Sequence, residues 1–215
     1  KCNMEEFITQ YQSLIPQTFP KFKRFLYNEI HWESRLIGVK GARGTGKTTM
    51  LLQWLKEQNL APNKAVYISL DDLFFSQNDL KSILVDFHEK GGEIIILDEV
   101  HKYPSWSKVI KNIYDFYPDL KIIFTGSSII DISKQEADLS RRAVIYELPG
   151  LSYREFLAMQ YDMKFPKLSI EEIIDKNDSI HTLFHSDFKP LAHFSEYLQL
   201  GYYPFLLEEP LTSQY

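Results

Sequence analysis

Gly41-Ala42-Arg43-Gly44-Thr45-Gly46-Lys47-Thr48 is the stretch on which the reading of this chain turns. It matches G-x-x-x-x-G-K-[ST], and each fixed position has a physical reason. Glycine lets the backbone wrap a polyphosphate closely, so that successive N–H groups point inward. The helix that opens at the end of the loop adds the positive end of its dipole. Lys47 is placed to reach the β and γ phosphates. The Thr48 hydroxyl is placed to bind a magnesium ion whose other ligands are mostly water and phosphate oxygen. Thr49, next in the same turn, joins these eight residues as a candidate for nucleotide contact. The competing explanation of such a stretch is a flexible glycine turn.

Its surroundings decide against that alternative. A phosphate loop needs a strand before it and a helix after it, and both are written in the sequence. Leu36-Ile37-Gly38-Val39 is a short apolar run of the kind used by a strand buried on both faces. From Thr48 to about Gln58 the residues are strong helix formers, and Met50, Leu51, Leu52, Trp54 and Leu55 cover most of the circumference, so the helix is expected to be buried.

Working outward, Glu93-Ile94-Ile95-Ile96-Leu97-Asp98-Glu99 gives the second strong signal, an apolar strand ending in two acids. In a Walker B element an acid at this point holds the magnesium shell. Two adjacent acids can divide the work: Asp98 holds the metal through water, while Glu99, on the other side of an extended backbone, polarises a water for attack on the γ-phosphate. A simple helix cap is the alternative use of Asp-Glu in this setting. Further strands are expected at 65–70, 121–125 and 143–148, with helices at 80–89 and 106–116 and a polar helix at 131–140 between them. Asp71 and Asp72, closing the strand at 65–70, suit a turn or cap better than a metal site. Ser127 or Ser128, after the strand at 121–125, suits either a hydrogen bond to the γ-phosphate or an N-cap.

Before the loop, residues 4–34 carry apolar positions at helical spacing, interrupted by Pro16 and Pro20, and read as a flanking element. The cluster Lys21-Phe22-Lys23-Arg24 reads as a solvated helix face. Beyond residue 150 the alternation of strand and helix stops. Ser152 and Glu155 form a capping-box pattern, and helical stretches at 169–176 and 191–200 follow, giving an all-helical appendage over 151–215. His181, His185 and His193 fall in it without carboxylate or cysteine support, and read as structural.

The order GARGTGKT, YISLDD, IIILDEVHKYPSW, KIIFTGSS, LSRRAVIYELPGLSYREF and YLQLGYYP resembles the prokaryotic AAA-type P-loop ATPases that commonly carry a C-terminal domain of unknown function. The resemblance runs from about Arg35 to Pro204. It implies an α/β three-layer sandwich with a parallel five-stranded sheet in order 5-1-4-3-2 over residues 35–150. It also implies catalytic roles for Lys47 and Glu99, a metal role for Asp98 and Thr48, and a sensor at Ser127. Arg142 is then an arginine finger completing a neighbouring subunit's site in a homo-oligomer. Relatives usually carry glycine where Arg141 stands, and glutamine where His101 stands.

The expected activity is therefore magnesium-dependent hydrolysis of ATP to ADP and phosphate, coupled to a conformational change. ATP is preferred to GTP because no N-K-x-D motif follows the acids. A nucleotide-dependent switch or scaffold with little turnover is the alternative, and Glu99 counts against a small-molecule kinase. Composition narrows the partners. With 24 basic against 29 acidic residues the chain has no general attraction for nucleic acid, so contact with DNA would need a C-terminal domain absent from these residues. Cys2 is the only cysteine, which excludes an internal disulfide framework and fits a cytoplasmic setting. No apolar run approaches the ~18 residues of a membrane span. The ends at Lys1 and Tyr215 fit a piece of a longer protein as well as a complete chain.

Overall fold

The computed structural model describes residues 4–14, 22–126, 139, 141–175, 189 and 191–205. Five strands form one sheet: β1 (Leu36–Lys40), β2 (Ala65–Ser69), β3 (Ile94–Asp98), β4 (Lys121–Gly126) and β5 (Val144–Glu147). Their order is β2-β3-β4-β1-β5, and every neighbouring pair is parallel. Read from the other edge, this is the expected 5-1-4-3-2. The loop strand β1 and the acid strand β3 thus flank β4, and their C-terminal ends open on the same side.

Period-two alternation splits the apolar residues between two layers. Ile95, Leu97, Ile122 and Phe124 pack with Ile83, Leu84 and Phe87 of α3 (Leu80–Glu89) and with Trp106, Ile110 and Ile113 of α4 (Trp106–Phe116). On the opposite face, Ile37, Val39, Ile96 and Ile123 pack with Met50, Leu51, Trp54 and Leu55 of α2 (Lys47–Glu57). Each side chain buried here contributes about 1.5–3 kcal/mol of transfer free energy. Asp98 continues the row of Ile94 and Ile96, so it faces α2 and the loop.

The N-terminal flank is less helical than the spacing suggests. Its described part contains α1 (Met4–Leu14) and one short 3₁₀ turn, Phe25–Asn28, preceded by Arg24 in an extended conformation. α1 contacts β2, placing Met4 and Phe7 in the first apolar layer and Tyr11 in the second. It therefore covers the exposed edge of the sheet, where unpaired backbone groups would otherwise invite another strand. The expected polar helix at 131–140 lies outside the described residues, apart from Leu139.

The chain divides into two compact units, Lys1–Pro149 and Gly150–Tyr215. The second is helical where described, with α5 (Tyr153–Tyr161), α6 (Ile170–Asp175) and α7 (Phe194–Leu200). The capping box forms at α5: the Glu155 N–H donates to Ser152 Oγ, and the Ser152 N–H donates to Glu155 Oε2 at 2.9 Å. Tyr153, Phe156, Phe194 and Tyr197 cluster as its aromatic core. No helix among the described residues is long and apolar enough to cross a membrane.

Candidate functional site

The loop between β1 and α2 takes the shape its glycines permit. Gly44 and Gly46 have φ of 82° and 88°, a region in which an L side chain is strained, and α2 starts immediately afterwards. Thr45 is buried and its hydroxyl donates to the Ala42 carbonyl at 2.9 Å, closing the loop on itself. Lys47 is also buried, and its ammonium donates to the Gly41 and Ala42 carbonyls, each at 2.9 Å. Burial lowers the Lys47 pKa, and the nearby carboxylates of Glu99 and Asp98 partly restore it. Two carbonyls engage only part of an ammonium's three-donor capacity, so the lysine is held at the loop with capacity left for an anion. Arg43 is exposed, and Thr49 stands half-buried in the first turn of α2.

Asp98 gathers the site. Thr48 Oγ1 donates to Asp98 Oδ2 at 2.6 Å, joining the phosphate-loop helix to the end of β3. The Tyr67 hydroxyl donates to the same oxygen at 2.6 Å. On the other oxygen, Thr125 Oγ1 donates through a short bond and the Glu99 N–H donates at 3.1 Å. The sheet register explains the convergence: Leu97 pairs with Phe124 and Ser69 with Asp98, so the ends of β2, β3 and β4 meet here. A threonine hydroxyl beside a carboxylate is a hard-oxygen donor set that fits a magnesium ion, with water and phosphate as its remaining ligands. Among the described residues no group of three or more His, Cys, Asp or Glu could hold a metal ion by itself.

Glu99 departs from the sequence expectation in one respect. The strand stops at Asp98, and Glu99 takes a left-handed conformation, φ 55° and ψ 43°, before the 3₁₀ turn Val100–Lys102. Extended geometry therefore does not aim its side chain. The turn does, setting its carboxylate 3.5 Å from His101 Nε2. A non-glycine residue held here costs of order 1–3 kcal/mol, the kind of strain that clusters at working sites.

Arg142 sits apart from the loop. Its guanidinium grips Asp115 of α4 with two bonds, Nε to Oδ1 at 2.8 Å and Nη2 to Oδ2 at 3.1 Å. Arg141 before it has a φ of 69°, the left-handed conformation that glycine adopts freely. Ser127, Ser128, His181 and His185 lie outside the described residues.

The AAA domain family matches residues 33–157, more than half of the sequence. The chain belongs to the AAA domain family. As an AAA domain, it carries the nucleotide-binding architecture of an ATPase. An uncharacterized protein of Methanocaldococcus jannaschii is 30% identical over 201 residues, which cover 88% of this chain and 41% of that protein. This AAA chain thus spans less than half the length of that curated relative. The fold is similar to the Walker-type ATPase of Pyrococcus abyssi, with a TM-score of 0.51, 16% identity, and coverage of 90% of this chain and 69% of that one. It is also similar to the S. cerevisiae Hsp104–ADP complex, with a TM-score of 0.57, 16% identity, and coverage of 96% of this chain and 32% of that one.

Three residues of this AAA site carry no motif. Thr125 lies inside β4, whereas the sequence draws attention to the serines just after it. Tyr67 lies one alternation step before the end of β2, and the signal available was a hydroxyl on the face that α2 covers. Arg24 belongs to a cluster that reads as solvated, yet it is buried. It donates from Nη1 to the Thr45 carbonyl through a short bond and from Nη2 to the Pro149 carbonyl at 2.8 Å. The extended backbone at Arg24 turns its side chain inward and makes it a brace for the loop.

Proposed function

We propose that this AAA domain binds ATP through residues 41–49 and hydrolyses it to ADP and phosphate with magnesium, coupling turnover to a conformational change. The observation that carries the reading is the Thr48–Asp98 hydrogen bond. It brings a phosphate-loop hydroxyl and a strand-end carboxylate within 2.6 Å, although fifty residues separate them in sequence. When bound, magnesium neutralises charge on the β- and γ-phosphate oxygens.

The chain's own residues do the rest. The loop N–H groups and the start of α2 hold the polyphosphate, and Lys47 adds its ammonium. Thr48 and Asp98 hold the cation's shell. Glu99 accepts a proton from the attacking water, with its carboxylate oriented by the left-handed turn and by His101. Ser127 is assigned as the γ-phosphate sensor. Arg142, on releasing Asp115, is assigned as the finger supplied to a neighbouring copy in a homo-oligomer.

Fluorescent-nucleotide binding and multiple-turnover phosphate release test this together. Lys47→Ala is expected to lose ATP binding, and Glu99→Gln to keep binding while turnover falls about 10²–10⁴-fold. Parental turnover in Glu99→Gln removes the catalytic assignment. A parent that binds ATP tightly but releases no phosphate over many equivalents favours a nucleotide-dependent switch or scaffold.

A further inference from the structure

An ionised carboxylate offers about four lone-pair positions. Among the described residues Asp98 receives four donors: Thr48 Oγ1 and Tyr67 Oη at Oδ2, Thr125 Oγ1 and the Glu99 N–H at Oδ1. A water in a magnesium shell is itself a donor, so it needs one of these positions. One of the four must give way.

Three of them are fixed. Thr48 can donate its proton to Asp98 while its oxygen lone pairs face a cation, so its bond survives metal binding. Thr125 is fully buried in β4 between β3 and β1. The Glu99 N–H is shared between Asp98 Oδ1 and Thr125 Oγ1, the latter at 3.3 Å, and is held there by a turn that the Lys102 N–H closes by donating to the Glu99 carbonyl at 2.9 Å. Tyr67 differs. Its hydroxyl ends a long side chain that is only half-buried.

We propose that Tyr67 is a positioning residue that occupies the Asp98 lone pair needed by a magnesium-bound water, and that its displacement sets the magnesium affinity of the site. This rests on the nucleotide reading above. The phenol holds the carboxylate in place. A bound cation's shell water would need the phenol's position, so loading would cost one charge-assisted hydrogen bond.

The test titrates magnesium chloride into the protein saturated with fluorescent ADP, comparing the parent with Tyr67→Phe. The variant is expected to bind magnesium about ten- to a hundredfold more tightly, the worth of one hydrogen bond to a charged group. Equal or weaker magnesium affinity in the variant overturns the proposal. A parent that binds no ADP removes the nucleotide reading and this proposal with it, whereas normal ADP binding with no gain in the variant removes this proposal alone. Fluorine NMR of the parent labelled with 3-fluorotyrosine gives an independent readout. A tyrosine resonance that shifts on magnesium addition, and is missing from the Tyr67→Phe spectrum, is expected. If no tyrosine resonance moves when magnesium is added, the proposal falls whatever the variant does.

Discussion

Gly41→Ala puts the packing of the phosphate loop to a direct test. A Cβ at this position would lie 2.3 Å from the Leu148 carbonyl oxygen and 3.3 Å from both the Leu148 carbonyl carbon and Thr45 Oγ1. Comfortable carbon–oxygen approach begins near about 3.3 Å, so roughly 1 Å of separation has to be found. The obstacle is backbone and not the end of a flexible side chain. Leu148 is in turn pinned, its N–H donating to the Lys40 carbonyl at 2.7 Å. Either the loop rises or the exit of β5 peels away from β1. Overpacking of this kind costs about 1–3 kcal/mol. With about 2–4 °C of Tm per kcal/mol for a domain of about 150–250 residues, Tm should fall by about 2–12 °C. Because the displaced atoms begin the phosphate loop, ATP affinity should fall as well. Scanning calorimetry and fluorescent-ATP titration measure the two effects, with Arg43→Ala, an exposed residue of the same loop, expected to leave Tm unchanged. A Gly41→Ala protein with parental Tm and parental affinity would refute the argument that the loop is wedged against β5.

Other outcomes follow from the packing and caps. Trp106→Ala empties a fully buried site beside Phe124 and should destabilise by about 3–5 kcal/mol in urea unfolding. Ser152→Ala removes the capping-box oxygen at α5 and should cost about 0.5–2 kcal/mol, read as lost helicity or earlier urea unfolding of the second unit. Asp79 caps α3 by accepting from the Ser82 N–H and hydroxyl, bonds that hold its carboxyl below the usual aspartate range. A depressed folded pKa gives stability that is present above the unfolded value and lost as pH falls through the folded one. The stability gap between parent and Asp79→Ala, about 1 kcal/mol at neutral pH, should therefore narrow below about pH 4; a gap constant down to about pH 2.5 would count against the cap.

The five strands, the loop and the candidates Thr48 and Asp98 were legible because each is written as a local pattern, either an apolar run of strand length or a fixed motif, whereas the sheet order followed only from the family resemblance that the motifs carry together. The aim of Glu99 was not. An acid pair at a strand end carries no periodicity, so nothing in the sequence marks the change from extended to left-handed backbone at residue 99. Tyr67 and Thr125 were hidden for a different reason. They are single hydroxyls in apolar strands, and they acquire a role only when the register sets three strand ends side by side. Arg24 misleads by company, because charged neighbours suggest a wet surface while its extended backbone turns it inward.

That arginine also bears on where this domain begins. The family match opens at residue 33, nine residues after the guanidinium that fastens the Thr45 and Pro149 carbonyls. A fragment cut at residue 33 would keep the phosphate loop and the acid strand and discard the strut that holds the loop to the end of the fifth strand. A fragment that starts before Arg24 is expected to hold the phosphate loop more firmly than one that starts at residue 33.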